Sequence, residues 1–186
     1  MKRTLFLSIM LVLSLCIAAC STKPAKPSAN DVMKQAYAQA TKENKNVIIV
    51  FQSSTREWCK KFEASINDES VKKLIDDNYV VVYLDLMEDP NKKELENPGA
   101  IDILTKYQGE KAGLPFWVVA DAKGTKLADS QIRSKGASVN TYGQNIGCPA
   151  ADSEIAFLLN ILQSTSKLSK DQLTLIGKRF AKNKQA

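Results

Sequence analysis

The sequence predicts an α/β protein, a mixed sheet flanked by helices with an extra helix at the C-terminus. Three observations predict it. Two β-branched runs read as strands: NVIIVF at residues 46–51, bounded by polar residues, as a buried central strand, and YVVVYLDL at 79–86 as a second strong strand. A stretch of helical periodicity separates them, which implies a parallel βαβ unit. A third apolar run, FWVVA at 116–120, is followed by DAKG and TKLADS, the outline of a hairpin that adds an antiparallel pair to the same sheet.

The elements follow in order. DVMKQAYAQATKENK places Val32, Met33, Ala36, Tyr37 and Ala40 on one helical face, with Asn30 or Asp31 as the cap. After the first strand, the loop QSSTR leads into a helix across EWCKKFEAS. NDESVKKLIDDN adds a turn or two of helix, with Val71, Leu74 and Ile75 on one side. Beyond the second strand, MEDPNKKELENPG reads as a loop with about one helical turn. AIDILTKYQ has helical spacing through Ile101, Leu104 and Tyr107, and EKAGLP breaks it. Residues 131–150, rich in Gly, Asn and Ser, read as a long irregular stretch. Two helices close the chain, over about Asp152–Gln163 and Ser169–Lys182. No internal repeat is visible.

The 186 residues, 44% hydrophobic and 25% charged, suit one globular domain. The first nineteen lie outside it. MKR is a basic head, and the apolar stretch after it ends in small residues, the pattern of a secretory signal peptide over residues 1–19. IAAC, Ile17 to Cys20, resembles the lipobox of bacterial lipoproteins, in which the cysteine is acylated and becomes the new N-terminus. Residues 20–29 then form a polar, Pro- and Lys-containing tether, residues 30–163 the domain, and 164–186 a basic helical extension. An ordinary signal cleaved near Ala19 and a retained membrane anchor are the alternatives. Of four cysteines, Cys16 leaves with the signal and Cys20 carries lipid. Cys59 and Cys148 remain, in a compartment that permits disulfides.

The net charge of +6 comes from 26 basic and 20 acidic residues, and falls to +4 without Lys2 and Arg3. That is too mild to point to nucleic acid. The basic run GKRFAKNKQA reads as a solvated helix face, or as a surface attracted to anionic lipid. The chain has no histidine, which excludes Cys–His and Ser–His catalysis, His-ligated haem and Cys₂His₂ zinc. Lacking paired C-x-x-C motifs, it excludes a zinc ribbon too. No metal or other cofactor is expected.

Three local features together resemble the thioredoxin fold: the strand, loop and cysteine-bearing helix at 47–66; GLPF at 113–116, just before a strand; and FWVVADAKGTKLA as a strand–turn–strand. CKKFEASINDESVKKLIDDNYVVVYLDL is similar to exported thioredoxin-like proteins whose motif reads C-G-x-C-K-K. The resemblance covers roughly residues 30–163. In that family a strand-terminal aromatic precedes the second cysteine of the redox motif by eight positions and the first by five. Phe51 lies eight before Cys59, and the following helix and strand stay in step. The motif is therefore Arg56-Glu57-Trp58-Cys59. Cys59 takes the resolving position, and Arg56 stands where the attacking thiol would be.

The resemblance also implies a cis-proline at Pro115 facing that motif, and recognition of an extended peptide by the backbone before it. Trp58, Leu114, Pro115 and Phe116 would then form an apolar groove. Arg56 would pair with an anionic group or simply face solvent. Cys59 would be a catalytic thiol or a small core residue, and a Cys59–Cys148 disulfide remains open. Two functions follow. One is a redox-silent domain, tethered to the envelope membrane and facing the periplasm, that binds envelope proteins or extended peptides. Ser21 after the lipidated cysteine favours the outer membrane. The other is a thiol–disulfide oxidoreductase using Cys59 alone or with Cys148. A purely structural envelope lipoprotein is a third, weaker reading.

Overall fold

The computed structural model describes residues 26–185; the expected signal peptide, Cys20 and most of the expected tether lie outside the described residues. The chain enters the fold at Lys26, whose ammonium pairs with Asp85. The Pro27 carbonyl accepts from Asn97 Nδ2 at 2.9 Å, and the Ala29 N–H donates to Pro98 O at 2.8 Å.

Helix α1 (Ala29–Glu43) is capped two residues before Asn30, the nearer of the two expected caps. Ser28 caps it, its Oγ accepting the Asp31 N–H at 3.1 Å. Asn44, in the left-handed region at φ 52°, ends it. Strands β1 (Asn46–Gln52) and β2 (Tyr79–Asp85) pair in parallel across helices α2 (Glu57–Ile66) and α3 (Lys72–Asn78). A 3₁₀ turn at Pro90–Leu95 and helix α4 (Ala100–Lys106) precede β3 (Phe116–Ala120), which runs antiparallel to β1 with Phe116 opposite Phe51. β4 (Lys126–Asp129) completes a four-stranded sheet of order β2-β1-β3-β4. Helices α5 (Asp152–Thr165) and α6 (Lys170–Ala181) follow, the latter ending in a 3₁₀ turn.

The period-two alternation of the strands divides the core. Val47, Ile49, Phe51, Phe116 and Val118 face α1 and α4 with Met33, Ala36 and Leu104. Ile48, Val50, Trp117 and Val119 face the other layer with Phe62, Ile75 and Leu158. That second layer includes the C-terminal helix: Leu173, Ile176 and Phe180 of α6 are buried in it. The hydrophobic spacing of α6, set against a capping box of Ser169 and Gln172, makes it part of the domain's core.

Part of the stretch expected to be irregular is ordered as a short ladder. β5 (Gln131–Ile132) pairs with β6 (Gln144–Asn145). Two residues per strand leave no readable periodicity, and side chains hold the arm instead. Arg133 donates to Asp129 Oδ1 and Oδ2 at 2.7 and 2.6 Å and to Thr141 O at 2.7 Å. Among the described residues, no helix is long and apolar enough to cross a membrane.

Candidate functional site: a groove at the N-terminus of α2

β1 delivers the chain to a loop, Ser53–Thr55, and Arg56 then serves as N-cap of α2 at φ −85° and ψ 125° without a side-chain cap bond. The loop is fixed from below by Glu88, which is 4% exposed. Its carboxylate accepts the Ser54 N–H at 2.5 Å, Ser54 Oγ at 2.8 Å and Ser53 Oγ at 3.3 Å. Arg56 is exposed and pairs with no carboxylate among the described residues. Trp58 is 46% exposed, with Lys61 Nζ 4.5 Å above its ring. The same ammonium lies 3.0 Å from Glu57.

Cys59, in the first turn of α2, is 1% exposed. Burial pushes its thiol above the ordinary cysteine value, with a hydrogen bond to the Ser53 backbone and the Arg56 charge pulling the other way. Glu88 and Asp85 add to the rise. A thiol that holds its proton is a poor nucleophile, because the thiolate is the reactive form.

The Leu114–Pro115 peptide bond is cis. Trp58, Leu114 and Pro115 meet along a groove of about 680 Å³. Its opposite side is built by Ile146, Ala150 and the end of the C-terminal segment, Asn183 and Lys184. Phe116 is not in it. The strand alternation turns that ring into the α1–α4 layer, where it is fully buried and stacks on Phe51 at 5.8 Å. The Leu114 N–H and C=O make no hydrogen bond among the described residues, whereas the carbonyls on either side of Leu114 do. Asn145 Nδ2 donates to Gly113 O at 2.6 Å and to Pro115 O at 3.1 Å, tying β6 to the proline loop. Trp117 Nε1 donates to Gly147 O at 2.9 Å and fixes the next segment.

Cys148 lines the groove floor but is only 5% exposed. Asn183 covers it, with Nδ2 3.3 Å from Cys148 Sγ, 3.0 Å from Ser65 Oγ and 3.4 Å from Pro149 O. Burial pushes its thiol up to about 12, and nearby Cys59 contributes to the rise. Cys59 and Cys148 are both free thiols in this structure. The geometry thus joins Trp58, Leu114, Pro115 and Cys148 in one groove, puts Arg56 and Cys59 at the α2 end, and separates Phe116.

Three contributors escaped the sequence reading. Glu88 and Asn183 act across 34 and 118 residues of chain, on Ser54 and Ser65 respectively, and no motif marks such distant partners. Asn145 sits close to Cys148, but its neighbourhood is too Gly- and Asn-rich for one amide to stand out.

The sequence over residues 29–122 matches a family model described as Thioredoxin-like. No curated protein matches the chain. Among solved structures, a disulphide isomerase from Xylella fastidiosa Temecula1 is 18% identical, with 83% of this chain and 90% of that chain covered and a TM-score of 0.47. A DsbH oxidoreductase is 18% identical over 76% and 90%, with a TM-score of 0.43. A thioredoxin from Thermus thermophilus is 16% identical over 70% and 82%, with a TM-score of 0.44. With the family model spanning just over half of its 186 residues and carrying the whole segment from α1 through β3, this chain belongs to the thioredoxin-like family.

Proposed function

We propose that this protein is a membrane-tethered member of the bacterial cell envelope that binds protein or extended peptide segments and lacks dithiol redox catalysis. One observation carries the reading. Arg56 caps α2 where an attacking thiol would be needed, while the groove beside it keeps an exposed Trp58, the cis-Pro115 and an unengaged Leu114 backbone. A guanidinium cannot attack a disulfide. A free N–H and C=O beside an apolar groove can take an added strand, which needs no thiol. The tether rests on the sequence before residue 30: signal pattern, Cys20 for lipid, and Ser21 in favour of the outer membrane.

Insulin reduction driven by dithiothreitol tests the redox half, on the wild type and on Cys59→Ser. The expected result is no acceleration over the uncatalysed reaction in either. Acceleration that disappears in Cys59→Ser would overturn it. The second reading, an oxidoreductase using Cys59 alone or with Cys148, draws on the two buried, free thiols; the same assay on Cys148→Ser tells its two forms apart. Labelling with an alkyne-bearing fatty acid tests the tether, and a label that persists in Cys20→Ser would refute lipidation there.

A further inference from the structure

We infer that the groove is selective for acidic extended segments of a partner protein, an apolar side chain packing beside Trp58 and carboxylates meeting Arg56 and Lys60. This rests on the peptide-binding reading and adds the chemical class of the peptide. The apolar half follows from Trp58, Leu114 and Ile146 on the groove walls. The main-chain half follows from the Leu114 N–H and C=O, which have no partner among the described residues.

The acidic half follows from charge at the α2 rim. Arg56 and Lys60 are both exposed and four residues apart, so they share one helix face. Neither forms an ion pair among the described residues, while the neighbouring Lys61 is paired with Glu57 at 3.0 Å. Like charges at this spacing repel, and cations in a first turn oppose the helix dipole. Both penalties shrink when a carboxylate arrives. The one carboxylate on the groove wall, Glu154, is held back against the start of α5, its Oε2 accepting the N–H groups of Ala150 and Ala151, each at 3.0 Å, and its charge is opposed on the same groove by Lys184. The net charge of +4 that remains without Lys2 and Arg3 is mild but has the same sign. A lipid surface fits less well: two cations fall short of the 4–8 that mark a headgroup-binding cluster, and a headgroup has no use for the Leu114 backbone.

The test measures fluorescence anisotropy of three labelled ten-residue peptides on the full chain in detergent. Each peptide carries one central leucine, flanked by glutamates, by glutamines or by lysines. Exposed charge pairs lead us to expect the glutamate peptide to bind about fivefold more tightly than its glutamine counterpart at low salt. The preference should vanish in Arg56→Gln/Lys60→Gln, with the glutamine peptide unaffected. Trp58→Ala should weaken both. Equal binding of glutamate and glutamine peptides by the wild type, or a preference that survives the double substitution, overturns the acidic selectivity and leaves the peptide groove standing. Binding to phosphatidylglycerol vesicles but to none of the peptides overturns the selectivity and the peptide groove together.

Discussion

Replacing Phe180 with alanine removes a ring that is 2% exposed and lies 5.9 Å from the ring of Phe62, which itself stacks on Trp117 at 6.0 Å. Deleting a buried phenyl costs about 3–5 kcal/mol, through lost burial and through the cavity left behind. The upper half of that range applies here. Trp117 is held in β3 and by its bond to Gly147 O, and Phe62 is held in α2, so the walls cannot collapse far. An expected loss of about 4 kcal/mol, with a urea slope of about 1.5 kcal/mol per molar, lowers the unfolding midpoint by about 2.7 M. Urea titration followed by circular dichroism and tryptophan fluorescence, on wild type and Phe180→Ala, measures it. A loss below about 1 kcal/mol would refute the reasoning, because only a detachable C-terminal helix could give up that ring so cheaply.

Further outcomes are expected. Arg56→Cys restores a C-x-x-C spacing with Cys59, and mild oxidation should remove two alkylatable thiols together by mass spectrometry; a variant that keeps them both would refute the motif register. Asp129→Asn should destabilise by about 3–5 kcal/mol, since a side chain with no exposure bridges Lys126 at 3.1 Å and Arg133 at 2.6 Å and its loss strands two buried cations. Cys148 contributes to a pH dependence whose sign is fixed by its raised folded value. Its contribution is fully present below the unfolded thiol range and is lost as pH rises toward about 12, by up to about 1.4 kcal/mol per pH unit. The urea midpoint should therefore fall more between pH 8 and pH 10 in the wild type than in Cys148→Ala, and parallel lines would contradict the burial of that thiol.

The β1–β2 unit and the later hairpin were legible because β-branched runs such as residues 46–51, almost wholly buried, and 79–85, half-buried at Val81 to Tyr83 on the sheet edge, stand out from their polar surroundings. The start of α2 beside Arg56 was legible from a count forward of Phe51, next to the last residue of β1, into the helix that Arg56 caps. Phe116 was misplaced because a strand's facing depends on where its pairing begins, and its partner Phe51 is known only from the register. Asn183 and Glu88 stayed hidden because a single buried polar side chain is chosen by whatever unpaired group the fold brings to it. That choice is made in three dimensions, with no local periodicity to announce it.

The chain's point of entry has a consequence for reach. Lys26 and Pro27 dock on Asp85 and Asn97, beside the C-terminal ends of β1 and β2, and that is the end from which α2 and the proline loop also spring. A lipid on Cys20, six residues before Lys26, would leash this end of the domain within about 20 Å of the bilayer. The pole bearing Arg56 and Trp58 would then look toward the lipid. A partner would have to enter from the side, through a gap only a few side chains deep, so unfolded or membrane-proximal segments would gain access and bulky folded proteins would be sieved out.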